Sequence, residues 1–199
     1  LFRRQRQMCI RDSLEKIDRW VLGAALDRLQ QERKRRNNLR FFIHQTLDVT
    51  RSQDWIPWLR DEIDRRDLIR MRPVLQFQLT DVREDLGLAE QRFSELHRLG
   101  IKVCLVHYDD ERDARRLVER LRISLVKLSF RTVREGDPVR LGALVARLKA
   151  AGAEVIAAGI ENPQTISQLW GCGVDFVQGN FLQFPATELR FDFSETAVD

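Results

Sequence analysis

Phe176-Val177-Gln178-Gly179-Asn180-Phe181-Leu182-Gln183-Phe184-Pro185 is the stretch that decides how this chain folds. A short apolar strand, Val174 to Val177, runs straight into a glutamine and a glycine. An aromatic-rich loop follows and closes on a proline. A barrel strand ends this way when it delivers one polar side chain and a stacking surface to the mouth of a pocket.

Working outward, the rest of the chain alternates helix and strand with little spare loop. Ser13 can cap a helix over Leu14 to about Arg36, where Ile17, Trp20, Val21, Ala24, Ala25 and Leu29 fall at helical spacing as its apolar face. Strands are predicted at Leu39 to Gln45, Val74 to Leu79, Ile101 to Val106, Ile123 to Leu128, Glu154 to Ala158 and Val174 to Val177. Helices are predicted at Asp54 to Arg66, Leu88 to Leu99, Arg112 to Leu121, Pro138 to Ala151 and Pro163 to Trp170, with Gly100 and Gly152 as stop signals. Strands separated by such helices imply right-handed βαβ units and a mostly parallel sheet. The fold class is therefore α/β. A closed barrel of this kind needs eight strands and about 250 residues, so the pattern leaves either a barrel short of its first two strands or an open sheet. Residues 186–199 form an acidic tail in which Leu189, Phe191 and Phe193 alternate, readable as a last edge strand.

Composition excludes several classes. A chain of 199 residues makes one ordinary domain. No apolar run approaches the roughly 20 residues of a membrane span and no signal-peptide pattern opens the chain, so a cytoplasmic protein without a membrane partner is expected. Cys9, Cys104 and Cys172 share no metal-ligand spacing and fit a reducing compartment. Of the net charge of +4, residues 1–13 carry +3: Arg3, Arg4, Arg6 and Arg11 against Asp12. The folded body is left near neutral, with no basic stripe of the sort that binds a nucleic-acid polymer. The opening LFRRQRQMCIRDS fits nothing around it. It is either a non-native or disordered segment or a short basic arm, and it stands outside the fold argument.

The opening stretch is similar to the D-[FY]-[VI]-Q-G-[YF]-x-x-x-x-P ending of EAL domains, bacterial proteins that bind and often hydrolyse cyclic di-GMP. Asn180 departs from it at the aromatic position, with Phe181 just after. Six further fragments, in order, resemble the same family. IDRWVLGAAL (Ile17 to Leu26) is similar to its L-D-R-W-V-L helix, and Leu39 to Thr46 to its strand ending in N-x-S. PVLQFQLTD (Pro73 to Asp81) stands for L-x-L-E-I-T-E, and GIKVCLVHYDD (Gly100 to Asp110) for G-[VI]-x-[LI]-A-L-D-D-F-G. LVKLSF (Leu125 to Phe130) stands for [IV]-K-[IL]-D, and EVIAAGIEN (Glu154 to Asn162) for V-[IV]-A-E-G-V-E-[TN]. The resemblance covers Leu14 to Pro185 and implies an incomplete TIM-like barrel of the EAL type.

It also implies what has been lost. Where the family's metal-binding residues stand, this chain has His44, Gln78, Val106, His107, Ser129 and Ala158. Lys127, Glu161 and Gln178 remain. Hydrolysis in the family needs two divalent cations held by several carboxylates, so the resemblance implies a lost magnesium or manganese site and no catalytic residue. The namesake E-A-L tripeptide and its strand have no counterpart here. The resemblance further implies a ligand site at Lys127, Glu161, Gln178, Gly179, Phe181 and Pro185, with cyclic di-GMP as the ligand. Lys127 either neutralises a phosphate or pairs with Glu161, and Gln178, Phe181 and Pro185 either cradle a guanine or only pack. The pattern of erosion, with the FIHQT and QGNFLQ strings, is nearest to FimX-type regulators of type IV pili. That likeness implies a PilZ-domain protein as partner, and an uncovered parallel-sheet edge suggests a homodimer. A residual phosphodiesterase and a docking module that binds no nucleotide are the alternatives.

Overall fold

The computed structural model describes residues 2–35, 39–182 and 184–185, and the backbone alone for residues 2–13 and 135. The tail over 186–199 lies outside the described residues. A long helix, α1 (Phe2–Lys34), precedes six strands: β1 (Phe42–His44), β2 (Val74–Gln78), β3 (Lys102–Tyr108), β4 (Leu125–Leu128), β5 (Glu154–Ala158) and β6 (Phe176–Gln178). Between them run α2 (Trp55–Arg65), α3 (Leu79–Glu84), α4 (Leu86–Arg98), α5 (Arg112–Arg120), α6 (Phe130–Glu135), α7 (Pro138–Ala150) and α8 (Pro163–Gly171).

The strands form one six-stranded sheet in the order β1-β2-β3-β4-β5-β6, every neighbouring pair parallel. Their apolar character follows from this arrangement, since a parallel strand is covered on both faces. Outward-facing Leu75, Phe77, Val103, Leu105, Val126, Val155 and Ala157 pack under the helices in the main core. The alternate positions Val74, Cys104, Val106, Leu125 and Ile156 form a second cluster on the other face, joined by Phe42 and Phe176. Phe42 and Phe176 belong to the two outermost strands, yet their rings meet edge to face with centroids 6.5 Å apart. Arg40, just before β1, likewise reaches Glu154 at the start of β5 at 2.6 Å. Contacts between strands at opposite ends of a sheet require it to curl upon itself. The architecture is an incomplete TIM-like half-barrel, and the concave face holds the second cluster.

Two expectations change. Helix α1 starts at Phe2, so Ser13 lies within its span and not at its start. Its buried face is Leu22, Leu26, Leu29 and Glu32, whereas Leu14, Ile17, Trp20 and Val21 are exposed. Both sets have helical spacing, and periodicity alone cannot tell which one meets the sheet. The short α3 and α6 each follow a strand directly and were not in the sequence pattern.

Candidate functional site

Because every strand runs the same way, all six C-terminal ends open on one face of the half-barrel. His44, Gln78, Ala158 and Gln178 are the last residues of β1, β2, β5 and β6. The pleat that turns Val126 and Leu128 outward sets Leu125 and Lys127 on the concave side. Leu125 is sealed in the inner cluster, and Lys127 stands above it at the face where the strands end.

There a cleft of about 380 Å³ is lined by His107, Lys127, Ser129, Phe130, Gly159, Glu161, Gln178 and Gly179. Two turns build its wall. Gly159 has φ +81°, a conformation that glycine adopts without strain, and the Phe130 ring occupies the space a Cβ would fill. At Gly179 a Cβ would lie 2.2 Å from the carbonyl oxygen and 2.4 Å from the amide nitrogen of Ile160. Ile160 donates its N–H to the Gln178 carbonyl at 3.1 Å, and Phe181 donates to the Ile160 carbonyl at 3.2 Å. The loops after β5 and β6 are thus laced together by backbone.

Four of the six expected site residues, Lys127, Glu161, Gln178 and Gly179, come together on this cleft. Phe181 is tied to it through the hydrogen bond to Ile160 and is exposed, and Pro185 is exposed and not among the lining residues. The anticipated ion pair between Lys127 and Glu161 is not formed. Lys127 has no hydrogen-bond or carboxylate partner among the described residues. Burial pulls its ammonium pKa down, and the only other influence on it is the Cys104 thiol beneath. Burial pushes that thiol up to about 12, so it stays neutral.

A shift of register between Leu105 and Tyr108 marks a bulge in β3, where His107 takes φ +57° and lines the cleft. Ser129 caps α6 by accepting from the Thr132 N–H at 3.1 Å, while its hydroxyl donates to Asp109. The same Asp109 oxygen accepts from the Thr132 hydroxyl at 2.9 Å. Asp110, just before α5, pairs with Arg147 at 2.7 Å and Arg115 at 3.2 Å. Among the described residues no three His, Cys, Asp or Glu side chains converge as a metal site. Sequence reasoning passed over Phe130, although an aromatic directly after the fourth strand, in Lys127-Leu128-Ser129-Phe130, is the signal that marks it. No helix among the described residues is long and apolar enough to cross a membrane.

Comparison with known proteins gives the same picture. Residues 9–185 match the family described as EAL domain. An uncharacterized 76.5 kDa protein in the phbC 3' region of Thiocystis violacea is 39% identical over 188 residues, which is 94% of this chain and 27% of that protein's length. This chain thus spans about a quarter of that relative. The FimX EAL domain of Xanthomonas citri, solved in complex with c-diGMP, superposes with a TM-score of 0.85 at 21% identity, covering 92% of this chain and 74% of that one. The FimX EAL domain from Pseudomonas aeruginosa bound to c-di-GMP gives 0.80 at 22% identity over 90% of this chain and 74% of that one. With the family matched over nearly its whole length and the half-barrel shared, this chain belongs to the EAL domain family.

Proposed function

We propose that this chain is a cyclic di-GMP receptor that keeps the nucleotide cleft of its family and has lost the metal chemistry. The observation that carries this reading is Lys127, a half-buried ammonium in the cleft with no ion-pair partner among the described residues. A buried charge normally has a partner, and a phosphodiester is the partner this cleft can admit. Its phosphate would meet Lys127, the Gln178 amide would hydrogen-bond a base edge, and Gly179 would let backbone approach closely.

Hydrolysis by this family calls for two hard cations, which want several anionic oxygens. The donor set does not fit them. Glu161 is the one carboxylate lining the cleft. The nearby Asp109 already accepts two hydroxyl hydrogen bonds. Without a metal-bound water the ligand is held and not cut. The setting proposed with this role is cytoplasmic signalling in type IV pilus or twitching control, with a PilZ-domain protein as partner and a homodimer as assembly. The structural likeness to FimX EAL domains supports it.

Isothermal titration of cyclic di-GMP, with and without magnesium or manganese, tests the proposal when product is followed by chromatography. Metal-independent binding with no linear dinucleotide is expected. Metal-dependent turnover lost in Glu161→Gln would make the chain a phosphodiesterase, and absence of binding would make it a docking module.

A further inference from the structure

The geometry points to Phe130 and Arg134 as a platform that stacks and reads a purine base on the β4 side of the cleft, a role that rests on the receptor function proposed above. Phe130 lines the cleft and is 45% exposed, although phenyl rings usually seek cover. Its position is fixed from two sides. One ring edge sits in the space left by Gly159, where a Cβ would come within 2.4 Å of it. The Arg134 guanidinium, one turn along α6, lies over the ring at 5.4 Å from its centroid. Arg134 is exposed and has no carboxylate partner among the described residues, so its donors are free. A flat apolar face beside a free guanidinium fork matches a purine. The ring takes the base by stacking, and the fork meets the two acceptors, O6 and N7, that guanine presents along one edge. Adenine presents an amino donor in place of O6, so the same fork rejects it. Lys127, on the floor of the same cleft, serves the phosphate of either nucleotide.

Titrations of the full chain with cyclic di-GMP and cyclic di-AMP test this assignment, using wild type, Phe130→Leu, Arg134→Gln and Lys127→Ala. Leucine keeps apolar packing against Gly159 but lacks the aromatic face, and circular dichroism confirms each variant folded. Phe130→Leu should weaken cyclic di-GMP about tenfold. Arg134→Gln should narrow the preference for guanine over adenine about tenfold, because a glutamine suits the adenine edge. Lys127→Ala should weaken both nucleotides alike and leave the preference unchanged. If wild type binds cyclic di-GMP while Phe130→Leu and Arg134→Gln match it in affinity and preference, the platform is overturned and the receptor role stands. If wild type binds neither nucleotide, both fall.

Discussion

The two ends of the concave face are built from the same strands by the same alternation, yet they treat charge in opposite ways. At the N-terminal end Glu154 accepts from Arg40 at 2.6 Å and from Lys102 at 2.9 Å, and Arg40 also lies over Phe176. These three charges answer one another within the chain. At the C-terminal end Lys127 has no partner among the described residues, and Gln178, the polar end of β6, lines the opening. Ions that hold a fold together are neutralised within it. The unanswered ion in the half-buried cleft is the feature on which the proposed phosphate contact rests.

The layer between the two ends gives the most severe way to break this contrast. Leu125 is fully buried in the inner cluster on which both ends rest. Leu125→Ala should cost about 3 kcal/mol in denaturant unfolding and weaken nucleotide binding as well. A cost below about 1 kcal/mol would mean the ends do not share a core. Gly179→Ala comes next. Its new methyl collides with the Ile160 backbone, so about 2 kcal/mol and most of the ligand affinity should be lost, as read by thermal melting and titration.

The closed end is sharpened by acid. Burial alone would raise the Glu154 carboxyl, but hydrogen bonds from Lys102 and Arg40 outweigh it and hold the pKa below its ordinary value of 4.5. The unfolded chain therefore binds the proton more readily. This contribution is fully present above that value and is lost as pH falls through the lower folded one. Glu154→Gln should cost about 1 kcal/mol at pH 7, since the group is partly exposed, and the mutant should lose less stability than wild type in melts run below pH 4.5. At the open end Lys127→Met should have the smallest effect on stability, a gain of about 0.5 kcal/mol from removing an unpaired buried charge. Cyclic di-GMP affinity should still fall at least about tenfold. A destabilisation beyond about 1 kcal/mol would show that Lys127 is structural, and the contrast between the ends would collapse.

All six strands were legible in the sequence because parallel strands covered on both faces read as apolar runs. Residues Val74 to Gln78 and Glu154 to Ala158 fall within one residue of their expected bounds. Helices α3 and α6 escaped notice because six residues hold too few turns to show a period. The orientation of α1 escaped for the opposite reason, since it has two apolar faces and only packing selects Leu22, Leu26 and Leu29. At the site, Lys127, Glu161, Gln178 and Gly179 were legible from motif fragments far apart in the chain. The missing Lys127–Glu161 pair was not, because ion pairing depends on a few ångströms of loop placement that no spacing encodes. Phe130 was overlooked because its importance lies in its packing on Gly159, 29 residues away in sequence.

The consecutive strand order also bears on how the molecule is made. Each strand pairs with the one synthesised just before it, so a chain emerging from the ribosome can dock every βα unit on a finished neighbour. The bond from Arg40 to Glu154 spans 114 residues and cannot form until the fifth strand has emerged. Growth is vectorial, and the contacts that mark the curl, Arg40 with Glu154 and Phe42 with Phe176, are the last to close.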